Sequence, residues 1–179
     1  MTGYIALLRG INVGGNNVVK MAELRDALAQ DGFARVRTYI QSGNVLLEAD
    51  EDEARVRERV EAVVSRMLGG KPMDAVVRSF AELERLMAEC PYPVDAPEEG
   101  KRVMFALLQE PLAADALAAA LGGVETDDEY EARGRDVYFR FRGNVLESPL
   151  GERMMKLGGK RTTTRNWNTM NKLLELSRE

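Results

Sequence analysis

The stretch Tyr39-Ile40-Gln41-Ser42-Gly43-Asn44-Val45-Leu46 decides the fold of the first half of this chain. Apolar and β-branched residues stand on both sides of Gln-Ser-Gly-Asn, and Gly and Asn tolerate the positive φ angles of a tight turn. The pattern therefore predicts a β-hairpin, with one strand over residues 36–40 and the next over residues 45–48.

Elements of alternating type surround this hairpin. An apolar run over residues 4–9 predicts a buried strand, and apolar residues at helical spacing predict a helix over residues 20–30. After the hairpin, a second apolar stripe predicts a helix that ends at Gly69-Gly70, and a short strand follows over residues 75–78. The resulting order, βαββαβ, is that of the ferredoxin-like plait.

A third helix and a proline-rich stretch follow the first plait. The stretch contains Pro91, Pro93 and Pro97, and because each proline removes a backbone donor and fixes φ, it is typical of a linker. We therefore predict one domain over residues 1–97, including the connecting helix, and a second over residues 98–179, including a C-terminal helix.

The second half shows a similar order of elements. A strand is expected over residues 102–108, a hairpin around Arg133-Gly134-Arg135, and a last helix that Thr164 or Asn166 can cap. The string Gly-Asn-Val-Leu occurs once in each half, which gives weak support for an internal duplication. We predict an α+β fold of two ferredoxin-like (βαββαβ) plait halves with an added C-terminal helix.

The composition excludes several classes of chemistry. The 179 residues include no histidine and a single cysteine, Cys90, so His-dependent triads, His-ligated metals, intrachain disulfides and all-cysteine zinc sites are ruled out. No metal and no cofactor is expected. The N-terminus lacks a signal peptide, and no segment approaches the roughly 18 apolar residues of a spanning helix. We therefore expect a cytoplasmic protein with no membrane partner.

Charge is distributed unevenly along a chain whose net charge is −4. Residues 153–172 contain six basic residues and no acidic one, whereas residues 48–53 and 125–131 contain five acidic residues each. Such segregation produces a local positive field on an acidic protein and indicates an anionic partner. The alternative is chance clustering on a solvated face.

Two polar loops of the first half are candidate ligand-binding segments. The first, Arg9-Gly10-Ile11-Asn12-Val13-Gly14-Gly15, follows a strand and precedes a helix, where backbone N–H groups can cradle an anion. The second is the tip of the hairpin, which would present amide and hydroxyl groups. In both loops the alternative is that the residues serve the turn alone. The candidates are Arg9, Asn12, Gly14, Gly15, Gln41, Ser42 and Asn44.

The third candidate segment is Lys160-Arg161-Thr162-Thr163-Thr164-Arg165-Asn166-Trp167-Asn168-Thr169. We expect it at a helix N-terminus, where the dipole favours anions and disfavours basic side chains, so a bound anion would compensate. Trp167 could stack on a base, although packing in the core with Met170 and Leu174 is favoured. The candidates here are Arg161, Thr163, Thr164, Arg165, Asn166 and Trp167.

These three motifs, in this order, resemble the signatures of a bacterial family known as domain of unknown function 1697. The similarity spans nearly the whole chain. The resemblance implies a fold with two α/β plait-like halves, but it implies no reaction, because the family has no established activity to carry over.

The sequence thus predicts binding of an anionic small molecule, phosphorylated or carboxylated, or of a nucleotide, at a basic site between the two halves. An enzyme at this site would need Lys160 or a carboxylate as general base, so whether the protein is an enzyme is open. One alternative is a module for single-stranded nucleic acid. Another is a non-catalytic structural or interaction protein, in which Arg9 and Arg165 would hold the halves together.

Overall fold

A computed structural model describes the backbone of residues 1–179 and the side chains of all of them except Lys160. The chain forms two compact units: unit 1 comprises Met1–Arg85 and Leu173–Glu179, and unit 2 comprises Leu86–Lys172. The predicted domain boundary after residue 97 stays a prediction.

The strands are β1 (Thr2–Leu8), β2 (Ala34–Tyr39), β3 (Asn44–Ala49), β4 (Ala75–Ser79), β5 (Val103–Leu108), β6 (Glu129–Arg133), β7 (Asp136–Arg140) and β8 (Thr162–Asn166). The helices are α1 (Met21–Gln30), α2 (Glu53–Met67), α3 (Phe80–Ala88), α4 (Pro97–Gly100), α5 (Ala114–Leu121), α6 (Pro149–Lys156) and α7 (Trp167–Ser177). Two 3₁₀ turns, Val145–Glu147 and Gly159–Arg161, flank α6.

Unit 1 contains a four-stranded antiparallel sheet in the order β2-β3-β1-β4. Alternate residues of β1, such as Ala6 and Leu8, pack in one core with Leu24 of α1 and Val60 of α2. The residues between them, such as Leu7, point to the other face and are also fully buried. The sheet of unit 1 is therefore covered on both faces.

Unit 2 repeats this topology with a sheet in the order β6-β7-β5-β8, whose neighbouring strands are antiparallel. Leu108 of β5 and Phe139 of β7 pack with Leu121 of α5 and Met154 of α6. The opposite face carries Phe105, which is also fully buried. The structure thus confirms the prediction of two plait halves with an added C-terminal helix.

The prediction that the third motif lies at a helix N-terminus is wrong for most of its length. Thr162–Asn166 forms strand β8, which pairs with β5 from Thr162 opposite Leu108 to Asn166 opposite Met104. Three consecutive β-branched threonines favour a strand over a helix. The helix begins only at Trp167, and of the two expected caps it is Asn166 that accepts a hydrogen bond, from the Thr169 N–H at 2.9 Å.

The two units share a structural repeat that the string Gly-Asn-Val-Leu does not mark. Arg78 lies opposite Ile5 in the β1–β4 register, and Arg165 lies opposite Phe105 in the β5–β8 register. Each arginine is followed by a residue whose side chain caps the next helix and then by an aromatic residue, in Arg78-Ser79-Phe80 and Arg165-Asn166-Trp167.

The two copies of Gly-Asn-Val-Leu occupy different structures. Asn44 begins β3 and pairs with Leu7. In unit 2 the corresponding partner of Leu107 is Asp136, and Asn144 instead precedes a 3₁₀ turn after β7. The repeated string therefore does not coincide with the repeat of topology.

Candidate functional site

The loop after β1 folds as a short β-hairpin. The Asn12 N–H donates to the Asn17 carbonyl at 3.1 Å, and the Asn16 N–H donates to the Val13 carbonyl at 2.9 Å. Gly14 and Gly15 form the tip, with φ angles of 57° and 78°. A two-residue turn with both φ angles positive fits the twist of the flanking chain, and glycine adopts it without steric cost.

The side chain of Asn12 fixes this hairpin and joins it to the turn between β2 and β3. Its Nδ2 donates to the carbonyls of Val19, at 2.9 Å, and Gln41, at 2.8 Å, while its Oδ1 accepts from the Val19 N–H at 2.8 Å. Asn12 has a φ of 53°, which asparagine tolerates better than most residues. Asn12 is therefore a positioning residue that holds two loops in one arrangement.

The turn between β2 and β3 is tight and strained. Ile40, a β-branched residue that is 49% exposed, has a φ of 49°, and such conformations cost on the order of 1–3 kcal/mol. A Cβ on Gly43 would lie 2.7 Å from Cδ1 of Ile11, so the close approach requires glycine. Asn44 is fully buried and donates to the Tyr39 carbonyl and to Oγ of Ser42, both at 3.0 Å.

Together the two loops present one surface of unit 1, which we call the two-loop surface. Its exposed members are Val13, Gly14, Gly15, Asn16, Val18, Ile40, Gln41 and Ser42. Arg9, which is half-buried, lies at the base of the first loop, where its N–H donates to the Asp74 carbonyl at 3.1 Å. No acidic residue occurs in residues 9–20 or 39–46.

In unit 2, the third motif is divided between the two faces of β8. Thr163 and Arg165 share one face and are 4% and 8% exposed. Nη1 of Arg165 donates to Oγ1 of Thr163 at 2.6 Å and to the Thr164 carbonyl at 2.8 Å. Burial lowers the pKa of the Arg165 guanidinium to about 10, so the group keeps its charge at neutral pH.

The other members of the motif are more accessible. Arg161 is exposed in the 3₁₀ turn before β8, and its carbonyl accepts from the Gln109 N–H at 3.0 Å. Oγ1 of Thr164 contacts Sδ of Met155 at 3.9 Å. Trp167 is half-buried, whereas Met170 in the same helix is fully buried. The side chain of Lys160, considered above as a general base, lies outside the described residues.

The described basic side chains of residues 153–172 are not all directed to one place. Lys156 pairs with Glu152 at 3.0 Å, Arg153 donates to the Ala120 carbonyl at 3.4 Å, and Arg165 is buried in the face of the sheet. The structure brings together the first two motifs in unit 1. The assignment of all three motifs to one ligand site stays a prediction.

Sequence reasoning missed a second polar feature, a cavity of about 320 Å³ in unit 2. It is lined by Pro93, Asp95, Glu99, Arg102, Val103, Arg140, Phe141 and Arg142. Arg140 and Arg142 stand two residues apart at the end of β7, and residues two apart in an extended chain share a side. This spacing is the feature of the sequence that could have indicated the cavity.

Metal and membrane features are absent from the residues that the structure describes. They contain no group of three or more Asp, Glu, Cys or His side chains that could hold a metal ion. No described helix is both long enough and apolar enough to cross a membrane.

Comparison with known proteins places the chain in a family. The model of a family described as "Protein of unknown function (DUF1697)" matches residues 1–138. The chain belongs to this family. The match confirms the resemblance carried by the motifs, although the third motif of this DUF1697 protein lies beyond the matched residues.

A solved structure shows the same fold. The conserved bacterial protein SP0830 from Streptococcus pneumoniae is 25% identical to this DUF1697 protein, with a TM-score of 0.74. The alignment covers 100% of this chain and 99% of that one, so it supports the two-half plait fold over the full length. A search of curated proteins finds no match.

Proposed function

We propose that this protein binds a small anionic molecule, phosphorylated or carboxylated, or a nucleotide, at the two-loop surface of unit 1. The observation that carries the proposal is the Asn12 side chain, which joins the two loops at 2.8 Å through the Gln41 carbonyl and fixes the first loop through Val19. A surface that is fixed before the ligand arrives loses less conformational entropy on binding.

Hydrogen-bond donors for an anion are present at this surface. Among the described residues, no acceptor bonds to the backbone N–H groups of Gly14 and Gly15 at the hairpin tip. Successive N–H groups in turns of positive φ form concavities that suit anions. The exposed side chain of Gln41 adds an amide on the neighbouring loop.

The charge near the surface agrees with an anionic ligand. Arg9 and Lys20 are the charged residues of the first loop, and Lys20 pairs with Glu23 at 3.6 Å. Arg9 and Lys20 thus place two positive charges on a segment that has no acidic residue. An anion also meets no carboxylate repulsion from the two loops, because neither of them carries an acidic side chain.

A small anion is favoured over single-stranded nucleic acid by the burial of both sheets. Plaits that bind RNA stack bases on aromatic residues of an exposed sheet face. In unit 2 the aromatic residues of that face, Phe105 and Tyr138, are 0% and 1% exposed, and in unit 1 the face carries Ile5 and Leu7, both 0% exposed. Bases have no platform there, so nucleic-acid binding is the less supported alternative.

A structural role is supported for one part of the third motif. Arg165 and Thr163 bond to each other inside unit 2, which accounts for both side chains without a ligand. The binding proposal therefore rests on the first two motifs.

We propose a cytoplasmic location for the protein, in keeping with its one half-buried thiol, Cys90.

The test is thermal unfolding of the purified protein with inorganic phosphate, adenosine monophosphate or citrate. Each measurement is made at about 20 mM salt, where charges are weakly screened, and at about 300 mM salt, where they are strongly screened. Because a ligand that binds only the folded state raises the melting temperature, we expect an increase with at least one of these anions, and a smaller one at high salt.

Two glycine variants provide a matched pair for this test. Gly15, with φ of 78°, and Gly134, with φ of 60°, both stand at hairpin tips, where an added Cβ would meet nothing within 4 Å. Gly15→Ala and Gly134→Ala carry a similar backbone cost, on the order of 1–2 kcal/mol. We expect only Gly15→Ala to abolish the ligand-dependent increase. An equal loss in Gly134→Ala, or no increase in the unmodified protein, contradicts the proposal.

A further inference from the structure

The cavity in unit 2 lies far along the chain from the two-loop surface and has its own chemistry. Three arginines line it: Arg102 before β5, Arg140 at the end of β7, and Arg142 two residues later. Asp95 and Glu99, which precede and belong to α4, line it as well. The lining thus contains both positive and negative side chains.

Two of the arginines are held by the surrounding structure. Nε of Arg140 donates to Oε2 of Glu129 at 2.7 Å, and its guanidinium lies 5.6 Å from the ring centroid of Tyr92. Nη2 of Arg142 lies 3.8 Å from the same Glu129 oxygen, and the backbone N–H of Arg142 donates to Oδ1 of Asp128 at 2.7 Å. One carboxylate, Glu129, therefore serves two guanidinium groups.

Arg102 is different, because hydrogen bonds engage only its backbone, while Lys101, together with the Arg102 guanidinium, lies near enough to the Glu98 carboxylate to lower the pKa of that group. Its N–H donates to the Glu99 carbonyl at 2.9 Å and its carbonyl accepts from the Phe141 N–H at 2.8 Å. Among the described residues, no carboxylate or carbonyl accepts a hydrogen bond from its exposed guanidinium. The backbone of Arg102 is thus fixed while five N–H donors remain available.

Asp95 is the counterpart of Arg102 in the cavity lining. Its backbone N–H donates to Oε2 of Glu99 at 2.7 Å, which fixes the loop and engages one oxygen of the Glu99 carboxylate. The carboxylate of Asp95 itself has no partner among the described side chains, and it does not pair with Arg102. Among the described residues, the cavity lining therefore holds one guanidinium, that of Arg102, with no hydrogen-bonded partner, and two carboxylates, those of Asp95 and Glu99, with no ion-pair partner.

We propose that this cavity binds a small zwitterion of the amino-acid type. The ligand's carboxylate would meet the guanidinium of Arg102, with Arg142 beside it, and the ligand's ammonium would meet the carboxylate of Asp95. Charge-assisted bonds of this kind, bidentate for arginine and carboxylate, are the strong ones. A ligand with a single charge would leave either Arg102 or Asp95 without a partner.

The size and the remaining lining agree with a small ligand that has an aliphatic side chain. Ligand cavities for drug-sized molecules measure roughly 300–1,000 Å³, so a volume of about 320 Å³ is at the lower end of this range. Pro93, Val103 and Phe141 supply apolar surface between the charged groups. This binding is independent of the two-loop surface.

The test uses L-norleucine and two analogues that each lack one charge: hexanoate, without the ammonium group, and pentylamine, without the carboxylate. Each is titrated into the isotopically labelled full chain, and amide chemical shifts are followed by NMR. We expect saturable shifts confined to residues 93–103 and 140–142, and an affinity for L-norleucine at least about tenfold above either analogue.

Matched variants separate the two charges. Arg102→Gln should reduce the affinity for L-norleucine to that for pentylamine, and Asp95→Asn should reduce it to that for hexanoate. Arg85→Gln and Asp127→Asn, which replace exposed residues away from the cavity lining, should change neither. The proposal is overturned if hexanoate binds as tightly as L-norleucine. It is equally overturned if Arg102→Gln has no effect, or if no saturable shift occurs up to on the order of 50 mM.

Discussion

Nδ2 of Asn12 donates to the backbone carbonyl of Gln41 at 2.8 Å, which joins two loops that lie 29 residues apart in the sequence. The acceptor is a main-chain atom, and the Gln41 side-chain oxygen lies farther away, at 3.5 Å. The link therefore depends on the identity of Asn12 but hardly on the identity of Gln41.

This asymmetry predicts different stabilities for two single variants. Asn12→Gly suits the positive φ but removes the side-chain bonds to Val19 and Gln41, so we expect the free energy of unfolding to fall by about 1–3 kcal/mol. Gln41→Ala should lower it by less than about 0.5 kcal/mol, as for other exposed side chains. Urea denaturation followed by circular dichroism measures both. Equal losses would show that the link does not run through Asn12.

A second pair of variants distinguishes the two arginines of the third motif. Arg165→Ala removes the donors to Thr163 and the Thr164 carbonyl in a buried setting, and should lower the free energy of unfolding by about 1–3 kcal/mol. Arg161→Ala, at an exposed position, should change it by less than about 0.5 kcal/mol. The same denaturation measurement applies. A small loss in Arg165→Ala would contradict the structural role of this side chain.

Most of the fold could be predicted from the sequence because the apolar residues follow simple periods. The continuous apolar run in β1 and the apolar stripe on α2 identify a strand and a helix locally. Strand β8 could not be identified in this way, since Thr162–Asn166 is polar and its assignment depends on pairing with Phe105 and Leu107 of β5. The β-branched threonines are compatible with a strand, but the pairing partner that makes them one is distant in the sequence.

The candidate site could be predicted only in part, for a related reason. Glycine marks the turns, so Gly14, Gly15 and Gly43 are identifiable as turn residues from the sequence. The bond from Asn12 to Gln41 depends on the tertiary structure, because β1 and β3 must pair before the two loops can meet. Sequence patterns also cannot show which cations are already paired, as Lys156 is with Glu152.

The hydrogen bonds that the Asp128 carboxylate accepts predict that the free energy of unfolding depends on pH. Burial works to raise the pKa of its carboxyl, but hydrogen bonds from the Ser148 hydroxyl at 2.6 Å, the Arg142 N–H at 2.7 Å and the Thr126 hydroxyl at 3.0 Å outweigh it, so the pKa is lowered. A carboxyl whose pKa is lowered in the folded state stabilises it above the unfolded value of about 3.9. This stabilisation is lost as the pH falls through the lower folded value.

The corresponding experiment compares Asp128→Asn with Asp127→Asn, which replaces its exposed neighbour. At pH 7 we expect Asp128→Asn to lower the free energy of unfolding clearly and Asp127→Asn to leave it nearly unchanged. As the pH falls below the unfolded pKa of about 3.9 and through the lower folded pKa, the difference between Asp128→Asn and the unmodified protein should shrink, because both then lack the charge. A difference that is constant with pH would rule out the carboxylate as its source.

Cys90 should react slowly with alkylating reagents in the folded protein. Burial raises the pKa of its thiol, and Sγ donates to the Tyr92 carbonyl at 3.5 Å. Because the thiolate is the reactive form, we expect alkylation by iodoacetamide at pH 8 to be at least about tenfold slower than in the urea-unfolded chain. The rate should continue to increase above about pH 8.5, the ordinary pKa of a thiol. Equal rates in the folded and unfolded chain would contradict this prediction.

The contacts of Arg37 indicate that this side chain stabilises the C-terminal end of α7 in unit 1. Its Nη1 donates to the Leu176 carbonyl at 2.6 Å and lies 3.8 Å from Oε2 of Glu179. A cation at a helix C-terminus satisfies a carbonyl and is favoured by the helix dipole. We expect Arg37→Ala to lower the free energy of unfolding by about 1–2 kcal/mol.

The matched control is Arg178→Ala, which removes a pair between exposed side chains, Arg178 and Glu84, at 2.8 Å. Exposed pairs contribute about 0–1 kcal/mol and weaken in salt, so this variant should lose little, and nothing in about 0.5 M NaCl. The loss in Arg37→Ala should persist in the same salt, because a hydrogen bond to a carbonyl in a half-buried setting is screened much less. Denaturation of both variants at low and high salt checks the prediction. If salt abolishes the loss of free energy of unfolding in Arg37→Ala, the contact with the exposed charge of Glu179 is its cause, and the bond to the Leu176 carbonyl is not.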